Sequence, residues 1–396
     1  MPLSQRLSLI KPSLTMAVEA RAKALKKAGI DIIGFGAGEP DFDTPDFIKE
    51  AAVRAIRDGF TRYTPVGGMD ELKEAVCFRF KTDLGLEYQP QEVVVGCGGK
   101  HVLYNIAQAL WGPGDEVLVP APCWVSYPPL ILLAGATPIL LPTREENGFK
   151  LTPEELAAAV TERTRALILN SPSNPTGAVY DREELEALGR VILEKDLLVV
   201  SDDIYDKILF DGRSFVNLAQ LGPEYRARTL VVNGVSKSYA MTGWRIGFLA
   251  GPPEIIDAVN TIQSHSTSNP NSIAQKAAVA ALTGPQDFVP QMVAELNRRR
   301  NYIVDRLNAL PGIRVRPPAG AFYIFPDFSA YFGRIFREPD VKDSLKLADY
   351  LLEKAQIAVV PGAAFGADSC LRFSYTVPLD LIEKGLKRLE KALSRL

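Results

Sequence analysis

Lys237 sits in a run of small residues, GVSKSYAMTGWRIG (234–247), with Arg245 eight positions further on. An amine of this kind can condense with a carbonyl, and an arginine among small residues can grip a phosphate with its planar fork. Three other polar clusters stand just beyond apolar runs. Cys97-Gly98-Gly99-Lys100 follows EVVVG and opens a helical pattern, where glycines let backbone amides approach an anion. SPSNPTG (171–177) follows an apolar run and carries Asn174. Ser201-Asp202-Asp203 follows a very apolar stretch ending at Val200, and a carboxylate at the end of a buried strand needs a partner or a cation. Taken singly, each has a plainer explanation: surface charge for the lysine, a tight turn for the glycines, a loop for the prolines and asparagine, a helix cap or salt bridge for the aspartates. Together they describe one ligand, a phosphorylated aromatic ring bearing a carbonyl. The lysine forms an imine, a carboxylate holds a protonated ring nitrogen, and Gly, Ser and Arg hold the phosphate.

These clusters need a scaffold that brings strand ends to one edge. Apolar runs at residues 92–96, 116–120, 137–141, 166–170, 197–202, 229–233 and 246–250 read as strands, separated in several places by helical patterns such as 100–110 and 182–194. The runs lack alternation, as expected for strands covered on both faces. The fold class is therefore α/β, a mainly parallel seven-stranded sheet with helices on both faces. In such sheets ligands bind beyond the carboxyl ends of the strands. The chain ends read differently. Residues 1–43 hold one helical stretch and a Gly-rich loop, a long charged helix starts near Glu295, and residues 320–325, 358–361 and 371–375 look like short strands. The expected division is a large domain over 44–294 and a smaller α+β domain from 1–43 and 295–396.

Composition narrows the function classes. The 396 residues carry 45 Lys and Arg against 47 Asp and Glu, a formal net charge of -2, which offers no broad basic field for nucleic acid or an anionic membrane. The local cluster Arg298-Arg299-Arg300 reads as the solvated face of a helix. Four cysteines form no C-x-x-C pair, and with only His101 and His265 no metal site is expected; buried, reduced thiols are. No apolar run is long enough to span a membrane and no signal peptide is visible, so the cytoplasm is the expected location.

The stretch SKSYAMTGWRIG (236–247) resembles the pyridoxal phosphate attachment site of class I aminotransferases of fold type I. NPTG (174–177), GAGEPDFDTP (36–45), SDDIY (201–205) and Arg372-Phe373-Ser374-Tyr375 resemble that family's other blocks, in the same order across essentially the whole chain. KPSLT (11–15) is similar to the opening block of a group of bacterial aspartate aminotransferases, some of which also act on prephenate. The resemblance implies pyridoxal 5'-phosphate as cofactor and Lys237 as its Schiff-base lysine. It places Asp202 against the pyridine nitrogen, Tyr205 and Asn174 on the phenolic oxygen, and Trp124 stacked on the ring. It gives the phosphate to the backbone of Gly98, Gly99 and Lys100, to Ser236 and Arg245, and to Tyr63 reaching from the neighbouring subunit of a homodimer. Arg372, with the Gly38 backbone, would hold the substrate α-carboxylate.

What the resemblance implies for the substrate side chain is less complete. Related enzymes bind a distal carboxylate with a partner arginine lying just before a Ser-Asn-Pro block, but IQSHSTSNPNS (262–272) contains none. Lys11, Thr15 and Lys100 are the substitutes by similarity, against solvent charge for Lys11 and a helix cap at Thr15; His265 reads as incidental. The expected reaction is ping-pong transfer of the amino group of L-aspartate to 2-oxoglutarate, with prephenate as a further acceptor. The alternatives are an aromatic or alanine-type aminotransferase, a β-lyase, or a non-catalytic pyridoxal-binding regulator. The last would need an N-terminal DNA-binding module, and the pattern starts within about fifteen residues, so it is disfavoured.

Overall fold

The computed structural model describes residues 3–333 and 341–396. In chain order the strands are β1 (Ile33–Gly34), β2 (Val93–Gly96), β3 (Glu116–Ala121), β4 (Thr137–Pro142), β5 (Thr164–Asn170) and β6 (Leu198–Asp202). They continue as β7 (Thr229–Gly234), β8 (Gly247–Ala250), β9 (Tyr323–Ile324), β10 (Ile357–Ala358), β11 (Val360–Pro361) and β12 (Leu371–Ser374). The seven-stranded sheet has the order β2-β8-β7-β6-β5-β3-β4. β8 runs antiparallel to both neighbours, and the remaining pairings are parallel.

The uniform apolarity of these strands has a direct cause. In β2, Val93 and Val95 pack with Leu72 and Val76 on one face, while Val94 packs with Val102 and Ile106 on the other. Each such side chain contributes roughly 1.5–3 kcal/mol by leaving water, so both faces are covered by helices. β4 is the exception. It is an edge strand, its residues are partly or fully exposed, and Leu140 faces solvent. Register then aligns the chemistry, because Asn170 and Asp202 are partners at the carboxyl ends of β5 and β6.

The two chain ends meet in a second layer. β1 pairs with β10, and β11-β12-β9 form a small antiparallel sheet. Phe35, Phe322, Phe373 and Leu386 share its core with the long helix Phe288–Asn308. That helix begins before the charged stretch that marks it in the sequence. Its apolar positions Val289, Met292, Leu296, Ile303 and Leu307 set the buried face, and Pro290 is tolerated in the first turn. It runs through residue 295, so a boundary placed there falls inside one helix.

The arginine cluster is not a solvated face. Arg298 is exposed, but Arg299 and Arg300 are buried. Arg299 donates to Asp41 and Glu295, each at 2.8 Å, and Arg300 donates to Asp211 at 2.8 and 2.7 Å and to the Pro318 carbonyl at 3.1 Å. The charge pattern did not distinguish the outward arginine from the two that tie this helix to the rest of the chain. The cysteines are all free; Cys123 and Cys370 are buried, whereas Cys77 and Cys97 are only half-buried. Among the described residues no helix is long and apolar enough to cross a membrane, and no group of three or more His, Cys, Asp or Glu could hold a metal.

Candidate active site

A cavity of about 400 Å³ opens at the carboxyl ends of the parallel strands. Lys237, Ser236, Asp202, Tyr205, Asn174 and Trp124 all line it, as do Arg245, Gly99, Lys100, Gly38, Arg372 and Thr15. Lys237 lies on the turn after β7, and its Nζ donates to the Gly38 carbonyl. Burial pushes its pKa down to about 8; Arg245 and Arg372 act in the same direction, while Glu39 and Asp202 oppose them. Near neutral pH a usable fraction of this amine is therefore unprotonated.

Asp202 ends β6 and is only 5% exposed. The Tyr127 hydroxyl donates to its Oδ2 at 2.6 Å, and the Ile204 amide stands 3.4 Å from its Oδ1. Burial raises its pKa to about 6, against the pull of Tyr127, Ile204 and Lys237. The next residue has another task. Asp203 accepts from Ser201 at 2.7 Å and from Asn217, and its carboxyl is held well above the usual range by burial. The pair that looked alike in sequence thus divides between the cavity and the interior.

Gly98 caps the helix Gly99–Leu110, with φ of 92°. A Cβ there would collide with the Arg245 guanidinium, and a Cβ on Gly247 would collide with the Gly99 backbone. The first helical bonds run from His101 and Val102 to the Gly98 carbonyl. The Gly99 and Lys100 amides therefore sit in the first turn, where no intrahelical acceptor exists. The Gly98 amide is different: it donates to the Gly96 carbonyl at 2.8 Å and is already engaged. Arg245 adopts φ of 58°, and its Nη1 donates to the Thr242 carbonyl at 2.8 Å, which braces the guanidinium over the cup.

Arg372 is 1% exposed. Its Nη1 donates to Asn174 Oδ1 at 2.9 Å and its Nη2 to the Gly36 carbonyl at 2.7 Å, while Nε has no acceptor. The guanidinium lies between the rings of Tyr323 and Phe365, 4.5 and 5.0 Å from their centroids. A buried cation without a carboxylate partner among the described residues is suited to receive one from a ligand. Asn174 meets Arg372 through its amide oxygen, and the Tyr205 and Tyr323 hydroxyls pair at 2.8 Å. Lys100 Nζ lies 4.9 Å from the Trp124 ring centroid.

Some expected residues are elsewhere. Tyr63 is 92% exposed and does not line the cavity within one chain. Lys11 is exposed and outside it too. None of residues 262–272 lines it, His265 included. Thr15 does not cap its helix; Ser13 accepts from the Met16 amide at 3.5 Å. Thr15 lines the cavity, and its buried hydroxyl has no hydrogen-bond partner among the described residues. Tyr127 and Tyr323 were not singled out from the sequence. Tyr127 follows β3 in a stretch that could have been inspected as another strand end, whereas Tyr323 lies in an apolar run, GAFYIF, indistinguishable from core.

An amine, a buried carboxylate, an anion cup at a helix start, a flat indole and a buried guanidinium with no carboxylate partner among the described residues fit a phosphorylated pyridine aldehyde with an amino acid beside it. The comparisons with known proteins agree with this chemistry. The curated "Aspartate aminotransferase" of Geobacillus stearothermophilus is 48% identical over 99% of this chain and 98% of its own length. The "Aspartate/prephenate aminotransferase" of Nitrosomonas europaea is 48% identical over 100% of both chains. The crystal structure of the aspartate aminotransferase from Rhizobium meliloti superposes with a TM-score of 0.97 at 43% identity, covering 100% of both chains. Residues 30–389 match the family described as aminotransferase class I and II, and the chain belongs to that family: it is an aminotransferase of fold type I.

Proposed function

We propose that this enzyme depends on pyridoxal 5'-phosphate and moves the amino group of L-aspartate to 2-oxoglutarate, with prephenate as a further acceptor. The observation that carries the reading is the convergence of Lys237, Asp202 and Arg372 on one cavity. The names of the relatives support aspartate as donor and prephenate as acceptor. The same reading includes a cytoplasmic homodimer, in which the exposed Tyr63 reaches the partner's phosphate site. It also divides the chain into a large domain over 44–294 and a small one from both ends.

When bound, pyridoxal phosphate supplies the carbonyl that captures an amino group and the ring that draws electrons from the substrate Cα. Lys237 would bond that carbonyl and, once displaced by the substrate amine, take the Cα proton and return it on the cofactor side. Its lowered pKa suits both tasks. Asp202, ionised above about pH 6, would hold a protonated ring nitrogen. The Gly99 and Lys100 amides, Ser236 and Arg245 would hold the phosphate, with Asn174 and Tyr205 on the ring oxygen and Trp124 across its face. Arg372 would clamp the α-carboxylate with its guanidinium fork, beside Gly38. Lys100 and Thr15 remain as donors to a distal carboxylate; Lys11 would have to swing in from solvent.

A panel of amino donors and 2-oxo acids, prephenate included, tests the reading. Ping-pong transfer from aspartate to 2-oxoglutarate is expected to be fastest. Release of pyruvate and ammonia from a cysteine-type substrate without an acceptor, together with no transfer from aspartate, would point to a lyase instead.

A further inference from the structure

We propose that Tyr127 is a positioning residue for Asp202: its hydroxyl ties down one carboxylate oxygen so that the other faces the cavity. The inference rests on the pyridoxal phosphate reading above. Tyr127 opens the short helix Tyr127–Leu133, three residues after Trp124. It is buried against that indole edge-on, with ring centroids 5.3 Å apart and planes at 79°. The ring is thus fixed by the same side chain that is placed to stack on the cofactor.

The two carboxylate oxygens of Asp202 are not equivalent. Oδ2 accepts from Tyr127 at 2.6 Å, a short bond to a charged acceptor, whereas Oδ1 has only the Ile204 amide at 3.4 Å. The Asp202 carbonyl is engaged by Asn170 Nδ2 at 2.8 Å, so the backbone is pinned as well. The titratable groups facing Asp202 are Tyr127 from this helix, Lys237 from the turn after β7, and Tyr205 and Asp203 on its own segment. Asp203 is directed to Ser201 and Asn217.

The choice of donor matters. An arginine or lysine on Oδ2 would steady the carboxylate but cancel the charge that a ring N–H⁺ needs. A phenol steadies it and leaves the charge in place. Burial and the neighbouring carboxylate raise the Tyr127 pKa well above the usual value, so it is a neutral donor throughout the working range. Tyr127 thus holds Asp202 in orientation without neutralising it.

Tyr127→Phe keeps the ring and its packing and removes only the hydroxyl. In the apoprotein, the carboxyl carbon-13 resonance of Asp202 is expected to titrate with a midpoint about one unit higher, a ~10-fold weaker acid. With nitrogen-15-labelled pyridoxal phosphate bound, the ring nitrogen resonance should move toward its unprotonated position. The kcat should fall ~10-fold, most strongly on the acid side, with KM for aspartate within about twofold. Tyr127→His, a neutral imidazole donor, should recover part of the loss. An unchanged Asp202 midpoint in the Phe variant with wild-type thermal stability would overturn the proposal. A wild-type protein that gives no protonated ring signal would overturn the cofactor reading instead, while the apoprotein titration still decides the role of Tyr127.

Discussion

The cavity has two walls built in different ways. One consists of strand ends and the turns just beyond them, where Asp202, Ser236, Lys237 and the Gly98–Lys100 cup are set by buried strands packed on both faces. The other is the N-terminal half of the helix Leu14–Lys27, which contributes Thr15, Met16 and Glu19; the whole helix buries only Ala22. Local stability follows buried contact, so the first wall is fixed and the second is lightly held. On the function proposed above, chemistry that tolerates no misplacement would sit on the former, and contacts to a variable side chain would fall to the latter.

The contrast can be broken most directly at Lys237. Lys237→Ala should lower kcat by about 10⁴-fold, since no other cavity amine replaces both the carbonyl partner and the proton carrier. Single-turnover transfer from aspartate measures it; transfer at the wild-type rate would remove the catalytic distinction between the walls. A smaller effect tests the cost of that fixed wall. Asp202 has a folded pKa of about 6, raised by burial above the ordinary ~3.9 of an unfolded chain. The folded apoprotein therefore binds the Asp202 proton more tightly, a stabilisation present below about pH 4 and lost as pH rises through about 6. Asp202→Asn should accordingly stabilise the apoprotein by up to about 3 kcal/mol at pH 8 and by little at pH 4, read from denaturant melts at the two pH values. Equal effects at both would show that the carboxylate is not strained by burial. The least effect is expected on the helical wall. Thr15→Val should lower kcat/KM for aspartate about fivefold, the worth of one hydrogen bond, with cofactor affinity unchanged. A loss of cofactor affinity there would merge the two walls into one.

The same division explains what could be read from the sequence. The positions of Lys237, Asp202 and Asn174 were legible because a polar residue beyond a buried apolar strand has few places to go in a parallel sheet. Arg372 needed the resemblance, since nothing in an apolar strand block says that its arginine points into a cavity. Arg299 and Arg300 were misread because a charge run records composition but not which acids lie across the fold; Asp41 and Asp211 are 258 and 89 residues away. The Gly98 amide was assigned outward by analogy, but the tight turn after β2 uses it internally. Ser13 and Thr15 both suit a helix start by residue type, and only the structure shows that Ser13 does the capping. Tyr63 and Lys11 lie where one chain alone gives them no cavity contact.

The seam between β8 and the anion cup carries a consequence for altering this enzyme. At Gly247 an antiparallel strand passes so close to the Gly99 backbone that any side chain would enter space already filled by main chain. Main chain cannot step aside as a rotamer can, so position 247 is closed to variation whatever the substrate. Thr15 and Glu19 border the open cavity on a helix that buries only one residue. A campaign to change substrate range therefore has its freedom on the helix and none at the seam.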